Sequence, residues 1–112
     1  SPVNYALDLV GNYTHSGTCA NAGAVNNQAH VSADPSKINR IKIEKIWTGT
    51  SNSYFVYADI NPTNHTVTIP AQTNNGILYT GSGTYTATEI DLSYQFTDGN
   101  LINDNCTVTL KR

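Results

Sequence analysis

Two cysteines, Cys19 and Cys106, stand 87 positions apart in a chain of 112 residues, and nothing else in the sequence constrains the fold as strongly. In a small chain poor in charge, a lone cysteine pair reads as a disulfide formed in an oxidising compartment. Free buried thiols are the alternative. A closed structural zinc site would need His15, His30 or His65 as well, and no CxxC or HxxxH spacing arranges such a set. A bridge over so long a loop stabilises by about 4–5 kcal/mol in the chain-entropy model. It also requires the two Cα atoms to approach within roughly 4.4–6.8 Å. Residues near opposite ends of the sequence must therefore be neighbours in space.

Composition says which kind of structure brings them together. Charged residues are 12% of the chain, against about 25% in ordinary soluble domains. Neutral polar residues, chiefly Thr and Asn, take their place, and these favour strands and turns respectively. Methionine is absent and no long helical period occurs. The clearest segment is Glu89 to Thr97, where Ile90, Leu92, Tyr94 and Phe96 alternate with Glu89, Asp91, Ser93 and Gln95. That period of two marks a half-buried strand.

Seven more segments read the same way. They are Gly11 to His15, Gln28 to Ala33, Ile38 to Trp47, Ser53 to Ile60, His65 to Ile69, Ile77 to Thr88 and Asn105 to Lys111. Within the third, Ile41 and Ile43 share a face while Ile46 has the other parity, so an irregularity near Glu44-Lys45 is expected. The sixth is expected to be interrupted at Gly81-Ser82-Gly83. Asn61-Pro62-Thr63-Asn64 is a turn signal. Pro2 to Val10 is a lead-in with room for one or two helical turns, too short to hold unless it packs on something.

About eight strands with short links give antiparallel neighbours, and exposed edges must be removed or protected. The economical solution is closure into an up-and-down antiparallel barrel, an all-β fold occupying residues 1–112 as a single domain. Closure pairs the first strand with the last and brings Cys19 to Cys106 at one rim. A β-sandwich is the alternative fold.

Gly11-Asn12-Tyr13 resembles the opening of calycin-type barrels, the lipocalins and fatty-acid-binding proteins, where Gly-x-Trp starts the first strand after a short helical turn. Tyr13 stands where that pattern has Trp. The resemblance implies a terminal basic residue, Lys111 or Arg112, over that aromatic ring. The fragments Leu9-Val10-Gly11-Asn12-Tyr13, Thr66-Val67-Thr68-Ile69-Pro70-Ala71-Gln72, Gly81-Ser82-Gly83-Thr84-Tyr85 and Cys106-Thr107-Val108-Thr109-Leu110 look like small surface lipoprotein domains of Bacteroidetes-type bacteria. This implies a secreted, periplasmic or cell-surface address, with any lipid anchor on a removed N-terminal segment. Ser1 stands where an initiator Met would, so the chain is read as a mature or trimmed form.

A net charge of −2 with a pI near 5.8 leaves no electrostatic footprint for nucleic acid or an anionic membrane. The basic run Lys37 to Lys45 reads as a strand face. No stretch approaches the roughly 20 apolar residues of a membrane-spanning helix. His15, His30 and His65 fall on separate segments without a nucleophile motif. The carboxylates Asp59, Glu89 and Asp91 are expected to face solvent, which makes a glycosidase pair the least favoured reading. Asp98-Gly99-Asn100 and Asn103-Asp104-Asn105 offer oxygen ligands of the calcium type, but Asp-Gly is foremost a hairpin signal. Three Asn-x-Thr sequons, at Asn12, Asn64 and Asn105, are of the kind chance supplies in so Asn- and Thr-rich a chain.

The expected function is thus non-catalytic binding, with no cofactor and no metal. The ligand-binding candidates are Trp47, Tyr54, Val56, Tyr57, Tyr79 and Tyr94. In the leading version a small apolar ligand enters a calycin-like interior lined by Val56, Val67, Ile69, Leu92 and Tyr94. In the alternative, coplanar exposed aromatics such as Trp47 with Tyr57 recognise a glycan or a surface protein.

Overall fold

The computed structural model describes residues 3–46, 54–74, 76–97 and 103–112. Alternation of apolar and polar side chains runs through its strands β1 (Gly11–Cys19), β2 (Gly23–Ala33), β3 (Arg40–Glu44), β4 (Phe55–Asn61), β5 (Thr66–Asn74), β6 (Ile77–Tyr85), β7 (Glu89–Thr97) and β8 (Asn103–Lys111). Each is antiparallel to the next, and β8 returns to pair with β1, closing the barrel. The expected architecture is present and the sandwich alternative is displaced. Gly81-Ser82-Gly83 does not interrupt β6, which runs unbroken to Tyr85.

The glycines have a different purpose. A Cβ at Gly83 would lie 1.8 Å from the carbonyl oxygen of Asp91, and one at Gly17 would lie 2.2 Å from that of Thr107. Both sit at inward positions where neighbouring backbones come too close for any side chain, as a tightly curled barrel wall requires.

Cys19 and Cys106 face each other in the β1–β8 ladder, with Cα atoms 4.0 Å apart and the sulfurs joined as a disulfide. Next to them the buried carboxylate of Asp104 accepts the backbone N–H groups of Asn21 (2.6 Å) and Ala22 (2.9 Å). Asp104 therefore anchors the β1–β2 turn. Its oxygens, offered by the sequence as calcium ligands, are already engaged, and residues 98–100 lie outside the described residues.

Parity on β3 is restored as the sequence requires. Lys45 takes a left-handed conformation (φ 61°), returning Ile46 to the interior, where it is fully buried. Asn27 supports the kink by donating from Nδ2 to the carbonyl of Lys45 (3.1 Å).

The β4–β5 seam is irregular. Ladder pairing extends only from Asn61↔Thr66 to Asp59↔Thr68. Pro70, which has no N–H to donate, then lies in a register shift between Ile69 and Gln72. Beyond it the Gln72 carboxamide substitutes for a peptide unit. Its Oε1 accepts from Tyr57 N (2.7 Å) and its Nε2 donates to Tyr57 O (2.8 Å). Asn74 continues the seam by donating to Phe55 O (3.1 Å).

The lead-in forms a 3-10 helix, η1 (Tyr5–Leu9), across the end opposite the disulfide. It holds because Ala6 and Leu9 are buried in the barrel's core cluster, and because a reciprocal asparagine clamp fixes its start. Asn4 Oδ1 accepts from Asn39 N (2.9 Å), while Asn39 Oδ1 accepts from Tyr5 N (2.8 Å). The Tyr13 hydroxyl donates to Leu9 O (2.7 Å).

Candidate binding cleft at the capped end of the barrel

An eight-stranded barrel is just wide enough to be filled by its own side chains or to hold one small ligand. Here Tyr13, Tyr79, Tyr94 and Phe96 are the largest side chains that fill the interior. Val56, Val67, Ile69, Leu92 and Tyr94 are between 0% and 2% exposed. A wall of an open pocket would show surface to water, and these residues show almost none. The continuous pocket expected along them is occupied by the core itself.

Of the six candidate residues, the five that the structure describes fall on two faces of the wall. Val56, Tyr79 and Tyr94 point inward and are buried, and Tyr54 packs partly buried against the same core. Tyr57, one step out of phase with Val56, is on the outer wall. There its ring meets Phe55 edge-on (5.6 Å between centroids, 81° between planes), so these two rings do not make a flat aromatic platform. Trp47 lies outside the described residues.

Two polar groups in the interior stand out. The Asn27 amide donates to backbone carbonyls, so its Oδ1 faces His15 Nδ1 at 3.1 Å. His15 therefore carries its proton on Nδ1 when neutral. Among the described residues its Nε2 is a bare acceptor with no partner, and the Tyr79 hydroxyl likewise has none. Burial pushes the His15 imidazole below its ordinary pKa, partly opposed by the Asn27 bond. Burial pushes the Tyr79 phenol well above its own, with Tyr54 adding to the rise.

Most charged residues of the strands are paired on the outer wall. Arg40 binds Asp59 through both oxygens (2.7 and 3.1 Å), with Lys37 at 3.4 Å. Lys42 pairs with Glu44 (3.6 Å) and lies over the Phe55 ring. Lys111 pairs with Glu89 (3.6 Å), and Asp91 accepts from the Thr109 hydroxyl (3.1 Å). Of the basic run, Arg40 and Lys42 form a paired face of β3, while Lys37 reaches Asp59 from the preceding turn and Lys45 lies just past the strand.

Open space lies at the η1 end. A cleft of about 260 Å³ is lined by Tyr5, Asp8 and Leu9 of η1, Pro62 and His65 of the β4–β5 turn, Tyr85 at the end of β6, and Ala87 beyond it. The turn is built by Asn61, whose side chain accepts from Thr63 N (3.0 Å) and whose carbonyl accepts from His65 N (2.8 Å). The His65 carbonyl in turn accepts from Tyr85 N (3.0 Å), which sets the two rings edge to face at 5.4 Å.

The far wall is held by Arg112. Its guanidinium stands 5.1 Å from the Tyr13 ring centroid and donates to the carbonyls of Val10, Asp8 and Ala87. Arg112, and not Lys111, is thus the basic residue expected over that ring. Burial raises the Tyr85 phenol pKa, with the Asp8 carboxylate and Tyr5 adding to it, so the acid and both phenols share one small space. No hydrogen bond within the described residues engages the Asp8 carboxylate, the His65 ring or the hydroxyls of Tyr5 and Tyr85. Sequence reading missed this group because its members come from three separate segments. The one signal available was a lead-in with an exposed tyrosine and an acid three residues on.

Comparison with known proteins supports the fold and stops there. No protein-family model matches the chain, and no curated protein matches it. A solved structure described as EF1p2_mFAP2b bound to DFHBI superposes with a TM-score of 0.64, covering 97% of each chain at 17% identity.

Proposed function

We propose that this chain is a non-catalytic binding domain of calycin-like construction, working outside the reducing cytoplasm, and that it takes a small ligand at the cleft against η1. The contrast between a filled interior and an open, aromatic, hydrogen-bond-poor cleft carries this reading. Ligand sites are concave and mostly apolar, with a few convergent polar groups, and the η1 cleft fits that description. The disulfide supports an extracellular or periplasmic address. A surface-lipoprotein origin rests on the sequence resemblance alone. That the similar barrel is described as bound to DFHBI supports small-ligand binding as an activity compatible with this architecture.

The test is amide and methyl NMR of the labelled protein against a broad set of small-molecule fragments. Shifts concentrated at Tyr5, Asp8, His65, Tyr85 and Ala87 are expected. Shifts concentrated on inward-facing residues would overturn the location.

A second reading places an apolar ligand with one polar group inside the barrel. The His15 Nε2 and the Tyr79 hydroxyl, unpartnered among the described residues, favour it, since buried polar atoms normally find partners. It requires the core to repack around the ligand.

A further inference from the structure

We infer that the η1 cleft holds a single neutral pyranose ring of a glycan. The inference rests on the cleft reading above and adds the class of ligand. A pyranose has an apolar C–H face and a rim of hydroxyls. It therefore needs an aromatic wall next to acceptors and donors that the protein has not already used. The cleft supplies both. Tyr5 is 42% exposed, the His65 and Tyr85 rings, edge to face rather than coplanar, add aromatic edges to the wall, and Pro62 adds an apolar contact. The Asp8 carboxylate accepts from two hydroxyls at once, as ionised carboxylates do, and the phenols and imidazole complete the rim.

Size and charge narrow the ligand further. At about 260 Å³ the cleft falls below the roughly 300 Å³ where sites for drug-sized ligands begin, so it seats one ring, with the remainder of a glycan outside. An aromatic site with a carboxylate also invites an organic cation. Here the Arg112 guanidinium binds the backbone carbonyls of Asp8 and Ala87, two residues of the wall. A positive charge held on two wall carbonyls disfavours a cationic occupant. The Asp8 carboxylate disfavours an acidic sugar.

The experiment is saturation-transfer NMR on the intact protein with methyl glycosides of glucose, galactose and N-acetylglucosamine, and with choline as the cationic probe. At least one glycoside is expected to receive saturation through its ring C–H protons. Tyr5→Ala should abolish the effect, and Asp8→Asn should weaken binding about tenfold. Tyr57→Ala, on the outer wall, should leave it unchanged. Choline binding without any glycoside binding would overturn the sugar assignment while leaving the cleft reading intact. Silence from every probe would overturn it too, and the fragment screen above then decides the cleft separately. Glycoside binding indifferent to both Tyr5→Ala and Asp8→Asn would overturn the location.

Discussion

The Arg112 guanidinium lies 5.1 Å from the centroid of the Tyr13 ring, joining the end of this sequence to the start of its first strand. The same group donates to carbonyls of η1, of the η1–β1 junction and of the β6–β7 turn. One side chain thus locks the lid of the barrel and one wall of the cleft.

Arg112→Met should keep most of the aliphatic contact and lose the charge and the forked donors. An exposed cation–π contact contributes about 0.5–1 kcal/mol, and hydrogen bonds from a charged donor add to it. The expected destabilisation is about 1–2 kcal/mol in urea unfolding, with Arg112→Lys intermediate because a lysine cannot span three carbonyls as a planar fork.

Gly83→Ala and Gly76→Ala separate two roles of glycine. Gly76 has φ 79° with open space around it, so alanine there should cost about 1–2 kcal/mol of left-handed strain. At Gly83 the new methyl would overlap the Asp91 carbonyl, forcing β6 and β7 apart. A loss of about 3 kcal/mol or more is expected, measured by thermal unfolding of both variants side by side.

His15 should make stability depend on pH. Burial lowers its folded pKa below the unfolded value near 6.5. The unfolded chain therefore binds a proton first as pH falls. The stabilisation from His15 is fully present above about pH 6.5 and is lost progressively below it, with a slope approaching about 1.4 kcal/mol per pH unit. Unfolding free energies between pH 7.5 and 5 should fall for the wild type, and His15→Leu should flatten that fall.

Much of the barrel was legible because its signals are local. Ile90, Leu92, Tyr94 and Phe96 declare β7 by alternation alone, and its observed bounds, Glu89–Thr97, are those the pattern gives. Ile46 announced the kink at Lys45 by its parity. Strand lengths were less legible where polar residues continue a ladder. Gly17 and Cys19 extend β1, and Gln72 and Asn74 extend β5, with no hydrophobic period to mark them. The cleft was illegible for a stronger reason. Tyr5, Asp8, His65 and Tyr85 meet only after η1 folds over the barrel end, and the asparagine pair that directs this, Asn4 with Asn39, has no distinctive spacing. Conversely, Tyr54 and Tyr57 attracted notice as aromatics, but their opposite parity on the chain already placed them on opposite faces.

Removing the disulfide tests ring closure. Cys19→Ala with Cys106→Ala should cost about 2–5 kcal/mol in denaturant, with the fold retained because Gly17↔Val108 and His15↔Leu110 pairing continues beside it. Loss of the β1–β8 pairing in the double variant, read by amide exchange, would mean that the bond and not the ladder closes the barrel.

The central claim is that the barrel is a filled scaffold whose binding surface lies outside its core. A crystal of the protein pressurised with xenon measures this directly, because xenon enters dry apolar cavities. The account predicts no xenon site within the barrel. A xenon atom bounded by Val56, Val67, Ile69, Leu92 and Tyr94 would contradict it and return the ligand to the interior.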